Sequence, residues 1–549
     1  MHTHSIFRAL TLAALCTVCT RIPACTNLIV ARGASADGSV MITYSADDYG
    51  SYGYLHHYPA ADHPAGAMRD LYDYETSNYL GSIPEAAHTY GVIGQVNEHR
   101  LAIMETTFGG REELVDTTGL LDYGSLMYVT LQRARTAREA ISVWTQLMDT
   151  YGYRSEGESI TLADPEEVWV MELIGKGPGV KGAVWVARRV PDGCVTGHAN
   201  QARITRFPLD KPDECLYSKD VITFARKRGY FKGRDADFSF RDAYAPNDFS
   251  ARRICEARVW AFFNRVADGM DRYLPYALGT DADAEEMPWC VKPAKPVTLR
   301  QLKHAMRDHY EGTPMAMTSD LGAGPYEAPY RPTPLFFDVD GRRYFNERPI
   351  STQQTAVTYI AQLRSQLPEH IGAVLWVGFD DANMVPYAPV YATATLCPQP
   401  YAERTAGPFT FSLHSAYWLQ NALSNFVYPR YSQLFPTLEQ ARDALDDQFE
   451  SLQAKIEAEA AAMSRDEAIA HLTAYTERSA ALMMNTWRDL FAHLIVRYND
   501  MTVKPMTDGQ YDRTAGGDHV PVQRPGYPEA YRRAIVSQTG DRYLVPSPR

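Results

Sequence analysis

The chain has 549 residues, of which 45% are hydrophobic, 22% charged and 11% aromatic, and its formal net charge is −12. This is the composition of a globular protein with a large core, and it excludes a disordered or collagen-like chain. The acidic balance lacks the basic excess of a nucleic-acid-binding surface, so no nucleic-acid partner is expected.

The first 24 residues stand apart from the rest. His2, His4 and Arg8 form a weakly basic start, Ala9 to Cys19 is a short apolar run, and Ile22, Pro23 and Ala24 end it on a small residue. That is the anatomy of a secretory signal peptide, and the apolar run is too short to cross a bilayer. No later stretch is apolar for long enough to form a transmembrane helix, so an exported protein is expected, periplasmic or secreted. Cys16 and Cys19 fall in the leader; Cys25, Cys194, Cys215, Cys255, Cys290 and Cys397 are too few for a disulfide scaffold in a chain of this size.

"TNLIVARG" and "GSVMITYSA" read as two strands joined by the turn "ASADG". Tyr90 to Gly110 adds two more around an Asn-Glu turn. Thr136 to Tyr151 has helical spacing, with Thr136 as N-cap, Glu139 completing a capping box, and Ala140, Val143, Trp144 and Leu147 on one face. "SITLADPEEVWVMELIG" and "GAVWVARRVPDGCVTGHANQARI" return to strands around turns. Strand pairs with short turns favour antiparallel sheets covered by helices, an α+β protein. Lys211 to Pro334 mixes helices with Pro- and Tyr-rich loops. "RPISTQQTAVTYIAQLRSQL" is expected to be a helix and "GAVLWVGF" a buried strand. Leu438 to about Asn499 is strongly helical, its charges a solvated helix face. Beyond Met501 apolar residues thin out, and a loosely packed tail is expected. The expected organisation is a leader over 1–24, a catalytic domain over 25–436, a helical extension over 437–500 and a tail over 501–549.

Cleavage after Ala24 would leave Cys25 with a free α-amino group. Such an amine has an ordinary pKa of about 7.7–8.0, so part of it is neutral near pH 7, and it can take the proton of its own thiol directly or through one water. A nucleophile activated by the N-terminal amine needs no histidine. It also explains why the thiol stands first: an amide nitrogen has no basic lone pair. His198 in "GHANQ" is the histidine that a partnered scheme would call on, but nothing around Cys25 supports that scheme. Two other readings of Cys25 are an ordinary buried cysteine and a lipobox cysteine that anchors a surface lipoprotein. Pro23 fits a lipobox poorly, and Cys25 runs without a polar tether into "TNLIVA".

"CTNLIVARGASADGSVMITYSADD", "NEHRLAIMETTFGG", "DYGSLMYVTLQRARTAREAI", "ADPEEVWVMELIGKGPG" and "HANQARITRF" together resemble the C69 dipeptidases, N-terminal-nucleophile hydrolases akin to penicillin V acylases and bile salt hydrolases. The resemblance runs from Cys25 to about Tyr391. It implies an αββα sandwich of two antiparallel sheets between helix layers. It also implies roles: Cys25 as nucleophile, Asp47 as the carboxylate that orients the N-terminal amine, Asn200 as an oxyanion donor, Thr107 at a second oxyanion position, and Arg253 as a supporting cation with Arg252 and Arg258 as rivals. Tyr44 and Ser45 stand where related acylases place an Arg-Asn pair. Glu105 and Glu172 close apolar strands, and either could bind a substrate ammonium. "GKGPG" lacks the spacing of a phosphate loop. No His/Cys/Asp grouping has zinc-like spacing, so neither metal nor cofactor is expected. The reaction expected is hydrolysis of short peptides, above all dipeptides; an N-acyl amide hydrolase and a lipidated binding protein are the alternatives.

Overall fold

The structure is a computed structural model that describes residues 25–546; the leader expected over residues 1–24 lies outside them. Two antiparallel sheets dominate. The first has six strands in the order Val195–His198, Asn27–Val30, Val40–Asp47, Thr355–Leu363, Ala373–Phe379 and Ala388–Tyr391. The second has eight, and its centre is formed by Ala102–Gly109, Gly157–Ala163, Val168–Gly175 and Ala183–Arg189. The α+β expectation holds.

Asn27–Val30 lies second from the edge, paired on both sides, with Asn27 opposite His198 on one side and Ile29 opposite Ile42 on the other. Its neighbours pin its register, so the residue just before it is pinned as well. The sheets face one another. Thr161 Oγ1 donates to Asn27 Oδ1 across the gap at 3.1 Å, and the His198 ring sits between the hydroxyls of Thr106 (2.7 Å) and Thr161 (2.8 Å).

Helices cover the outer faces. On the eight-stranded sheet, Tyr123–Leu131 and Ala137–Tyr151 bury Leu126, Ile141, Trp144 and Met148 against Ile103, Leu162 and Trp169. Thr136 caps the second of these, its side chain accepting the Glu139 N–H at 3.2 Å. On the six-stranded sheet lie Ala416–Val427, Tyr431–Ala461 and Arg465–Tyr498, whose Leu419, Leu434, Leu445, Met483 and Trp487 share one core with Leu375 and Trp376. Residues 437–500 thus form a covering layer of the sheet. Beyond them, the helix Glu529–Thr539 has no buried residue.

One element departs from the sequence reading. The helix expected over residues 348–367 is the strand Thr355–Leu363, and all nine of its residues are buried. A strand covered on both faces loses the alternation of apolar and polar residues that would betray it. Its Thr, Val, Tyr and Ile residues suit a pleated surface, and pairing with Val40–Asp47 and Ala373–Phe379 decides the outcome.

Candidate active site

Cys25 stands two residues before the first residue of the strand Asn27–Val30 and is 3% exposed. Thr26 bonds to Ser45 twice: its N–H donates to Ser45 Oγ at 3.2 Å, and its carbonyl accepts the Ser45 N–H at 3.0 Å. The Cys25 sulfur lies 3.8 Å from the Tyr44 hydroxyl and 3.8 Å from Glu105 Oε1. Tyr44 donates that hydroxyl to Glu105 Oε1 at 2.7 Å. Tyr44 and Ser45, which replace the Arg-Asn pair of the resemblance, therefore both serve the site. One touches the sulfur and the other holds the main chain beside it.

Asp47 is fully buried, and its carboxylate accepts from Ser45 Oγ (2.9 Å), Thr355 Oγ1 (2.6 Å) and the equally buried Arg348. Leaving one member of such a buried ion pair without the other costs about 3–5 kcal/mol, so the group is fixed in place. Burial pushes the Cys25 thiol well above its ordinary pKa, and the nearby Glu105 and Asp47 carboxylates push it further; the Asp47 N–H and the Tyr44 hydroxyl oppose them. The site favours the thiol over the thiolate until a cation arrives.

Asn200 follows the strand Val195–His198 and adopts a left-handed backbone, φ 60°. Asparagine tolerates that region better than most residues. Its Nδ2 donates to the Thr107 carbonyl at 2.7 Å, and its Oδ1 accepts from Arg258 at 2.9 Å. Arg258 is completely buried. It also donates to the Cys25 carbonyl (2.6 Å), Thr26 Oγ1 (2.8 Å) and the Ala199 carbonyl (3.0 Å), tying the start of one strand to the end of its neighbour.

The sequence that defines peptidase family C69 matches residues 24–444, the greater part of the chain, and starts within one residue of Cys25. The chain belongs to peptidase family C69. A C69 peptidase is a peptide-bond hydrolase. This one is 25% identical over 495 residues to a protein named probable dipeptidase from Latilactobacillus sakei, a match spanning 86% of this chain and 95% of that one. It is 25% identical to a probable dipeptidase of Salmonella dublin, over 68% of this chain and 81% of the other. It is 23% identical to dipeptidase A of Lactobacillus helveticus, over 76% and 85%.

In this C69 peptidase the structure brings Cys25, Asp47, Glu105, Thr107 and Asn200 together, but not Arg253. Arg253 is turned to Glu347 in an ion pair, with Nε to Oε2 at 2.9 Å, and donates to the Leu278 carbonyl. The arginine beside Cys25 is its rival Arg258, which donates to the Cys25 carbonyl. Arg253 lies inside the π-helical turn Ala251–Glu256 and Arg258 in the α-helix Ala257–Val266 that follows, so α-helical periodicity does not set the angle between them. Glu172 is not at the site either: its carboxylate accepts the N–H groups of Arg203 and Ile204. Thr107 places its hydroxyl on Glu158 at 2.7 Å, and it reaches Asn200 through its carbonyl.

Glu158, like Arg348 on Asp47, is a residue that sequence reasoning missed. It lies on the strand Gly157–Ala163 and is fully buried. Its carboxyl meets that of Glu105, and the two strands run with Glu105 opposite Ile160 and Thr107 opposite Glu158. Burial raises the Glu105 carboxyl to about 7; burial and the Glu105 charge push Glu158 well above the ordinary carboxylate range. Two carboxyls held this close cannot both be ionised, so they share a proton unless a cation replaces it. His198, buried between its two threonines, is driven down to about 3 and stays a neutral hydrogen-bonding group of the core.

Proposed function

We propose that the protein is a cysteine-type dipeptidase whose nucleophile is the Cys25 thiolate, active once residues 1–24 have been removed as an export leader, and that its two sheets and helix layers are the αββα sandwich of the N-terminal-nucleophile hydrolases. The observation that carries this reading is the placement of the Cys25 sulfur 3.8 Å from Glu105 Oε1. In a dipeptide the α-ammonium is two bonds from the scissile carbonyl carbon. A sulfur poised to attack that carbon at about 3–3.5 Å therefore has the ammonium as a near neighbour, where Glu105 can accept it.

The steps follow from the groups present. The α-amine of the freed Cys25 accepts the thiol proton, and the resulting ammonium offsets the Glu105 and Asp47 charges that otherwise oppose the thiolate. The sulfur attacks the carbonyl, and the oxyanion is stabilised by the Asn200 amide, whose orientation Arg258 holds through Oδ1. One such donor contributes about 3–4 kcal/mol to the barrier. The Cys25 ammonium protonates the leaving amine, C–N cleavage leaves a thioester, and water deprotonated by the same amine hydrolyses it. Asp47 fixes the geometry through Arg348, Ser45 and Thr355. Relatives named dipeptidase support the substrate class. An N-acyl amide substrate would leave the Glu105 carboxyl facing no cation. The test is a dipeptide panel given to the chain beginning at Cys25. Release of free amino acids by that chain and its loss in Cys25→Ala is the expected result; equal rates in both refute the mechanism.

A further inference from the structure

A cavity of about 250 Å³ has Glu158 and Thr107 in its wall, and Glu158 meets Glu105, the neighbour of the Cys25 sulfur. Five carboxylates line it, Asp73, Glu75, Asp122, Glu156 and Glu158, against the single guanidinium of Arg154. Two of the five are already engaged. Asp122 caps the helix Tyr123–Leu131, accepting the N–H groups of Ser125 and Tyr74 at 2.6 and 2.9 Å. Asp73 accepts from Thr76 and lies 3.5 Å from Arg154.

The other three have no cationic partner among the described residues. Glu75 meets only the Tyr123 hydroxyl, at 3.5 Å, and Glu156 lies beside the backbone of Gly109. Glu158 is completely buried; its Oε1 takes the Thr107 hydroxyl, while its Oε2 receives no N–H or hydroxyl and has only the proton that its carboxyl shares with Glu105. All three are pushed above the ordinary carboxylate range, first by burial and then by carboxylates around them. Tyr74 and Tyr123 close the walls edge to face, with ring centroids 5.6 Å apart. Aromatic walls ending in carboxylates suit a long apolar stem that carries a positive charge at its tip.

We propose that this cavity receives the side chain of the substrate's first residue and selects a cationic one, so that the favoured substrates are dipeptides beginning with lysine or arginine. The inference rests on the dipeptidase reading. With the α-ammonium on Glu105, the side chain of the same residue leaves the Cα toward Glu158, which touches Glu105 and lines the cavity. Glu75 and Glu156 then meet its charged end. A neutral side chain of the same length fills the space but leaves those carboxylates without a counter-charge.

The chain beginning at Cys25 is assayed with Lys-Ala, Arg-Ala and norleucyl-Ala, the last matching the lysine stem without its charge. The expected kcat/KM for Lys-Ala exceeds that for norleucyl-Ala at least tenfold, and the ratio falls toward one in the Glu75→Gln, Glu156→Gln double variant. Cys25-dependent cleavage of norleucyl-Ala as fast as Lys-Ala overturns the inference and leaves the dipeptidase reading standing, as does a ratio unchanged in a folded double variant. Cleavage of none of the three overturns both. The wild-type ratio decides by itself if the double variant does not fold.

Discussion

Glu105 places one carboxylate oxygen 3.8 Å from the sulfur of Cys25, and both residues are buried almost completely. An acid so close to a thiol opposes its ionisation, which is why the site needs a cation that the folded chain alone does not put on the sulfur. In the proposed mechanism two arrive: the α-ammonium of Cys25 itself and that of the substrate.

The raised carboxyl of Glu105 sets a pH dependence of stability. Its folded pKa of about 7 stands above the unfolded value of 4.5, so the folded state holds the proton more tightly. The contribution is fully present below pH 4.5 and is lost as pH rises through 7. Glu105→Gln removes this titration. Urea unfolding of wild type minus variant at a series of pH values should show a difference that falls with pH across that window, by on the order of 3 kcal/mol in total. A flat difference contradicts the assignment.

Asn200→Gly keeps the left-handed backbone and removes the amide. We expect kcat to fall about 10²–10³-fold with KM little changed, the pattern of a group that acts on the oxyanion. A rise in KM at constant kcat would instead make Asn200 a substrate-binding residue.

Arg258→Met should cost about 3–5 kcal/mol of stability, since it leaves the Cys25 and Ala199 carbonyls and Asn200 Oδ1 without a buried donor. It should also depress kcat. Arg253→Met breaks a pair with Glu347 remote from the sulfur and should leave kcat near wild type. Denaturant melts together with steady-state kinetics on the two variants check the contrast, and equal kcat losses would contradict it.

The opening strands were legible because Asn27–Val30 and Val40–Asp47 are short apolar runs separated by an Asp-Gly turn, and the helix Ala137–Tyr151 because Thr136 and an amphipathic face announce it. Cys25 stands out in the sequence as a thiol placed after a leader-like stretch, and the fold sets its sulfur beside Tyr44 and Glu105. Thr355–Leu363 was not, because burial on both faces erases period-two patterning. The exchange of Arg253 for Arg258 has a similar cause. "SARRICEAR" shows that a cation is at hand, but the face it points from depends on a π turn that local sequence does not reveal. Glu158 did leave a signal, a lone carboxylate inside the otherwise uncharged strand "GESITLA". Only the neighbouring strand, which brings it against Glu105, turns that signal into a site.

The most direct test is intact-mass and amino-terminal analysis of the catalytically active species, paired with its turnover of a dipeptide. The predicted result is a chain whose first residue is an unmodified Cys25 and whose activity disappears when that amine is blocked. An active chain that begins at another residue, or one that turns over substrate with its leading nitrogen acylated, would contradict the account.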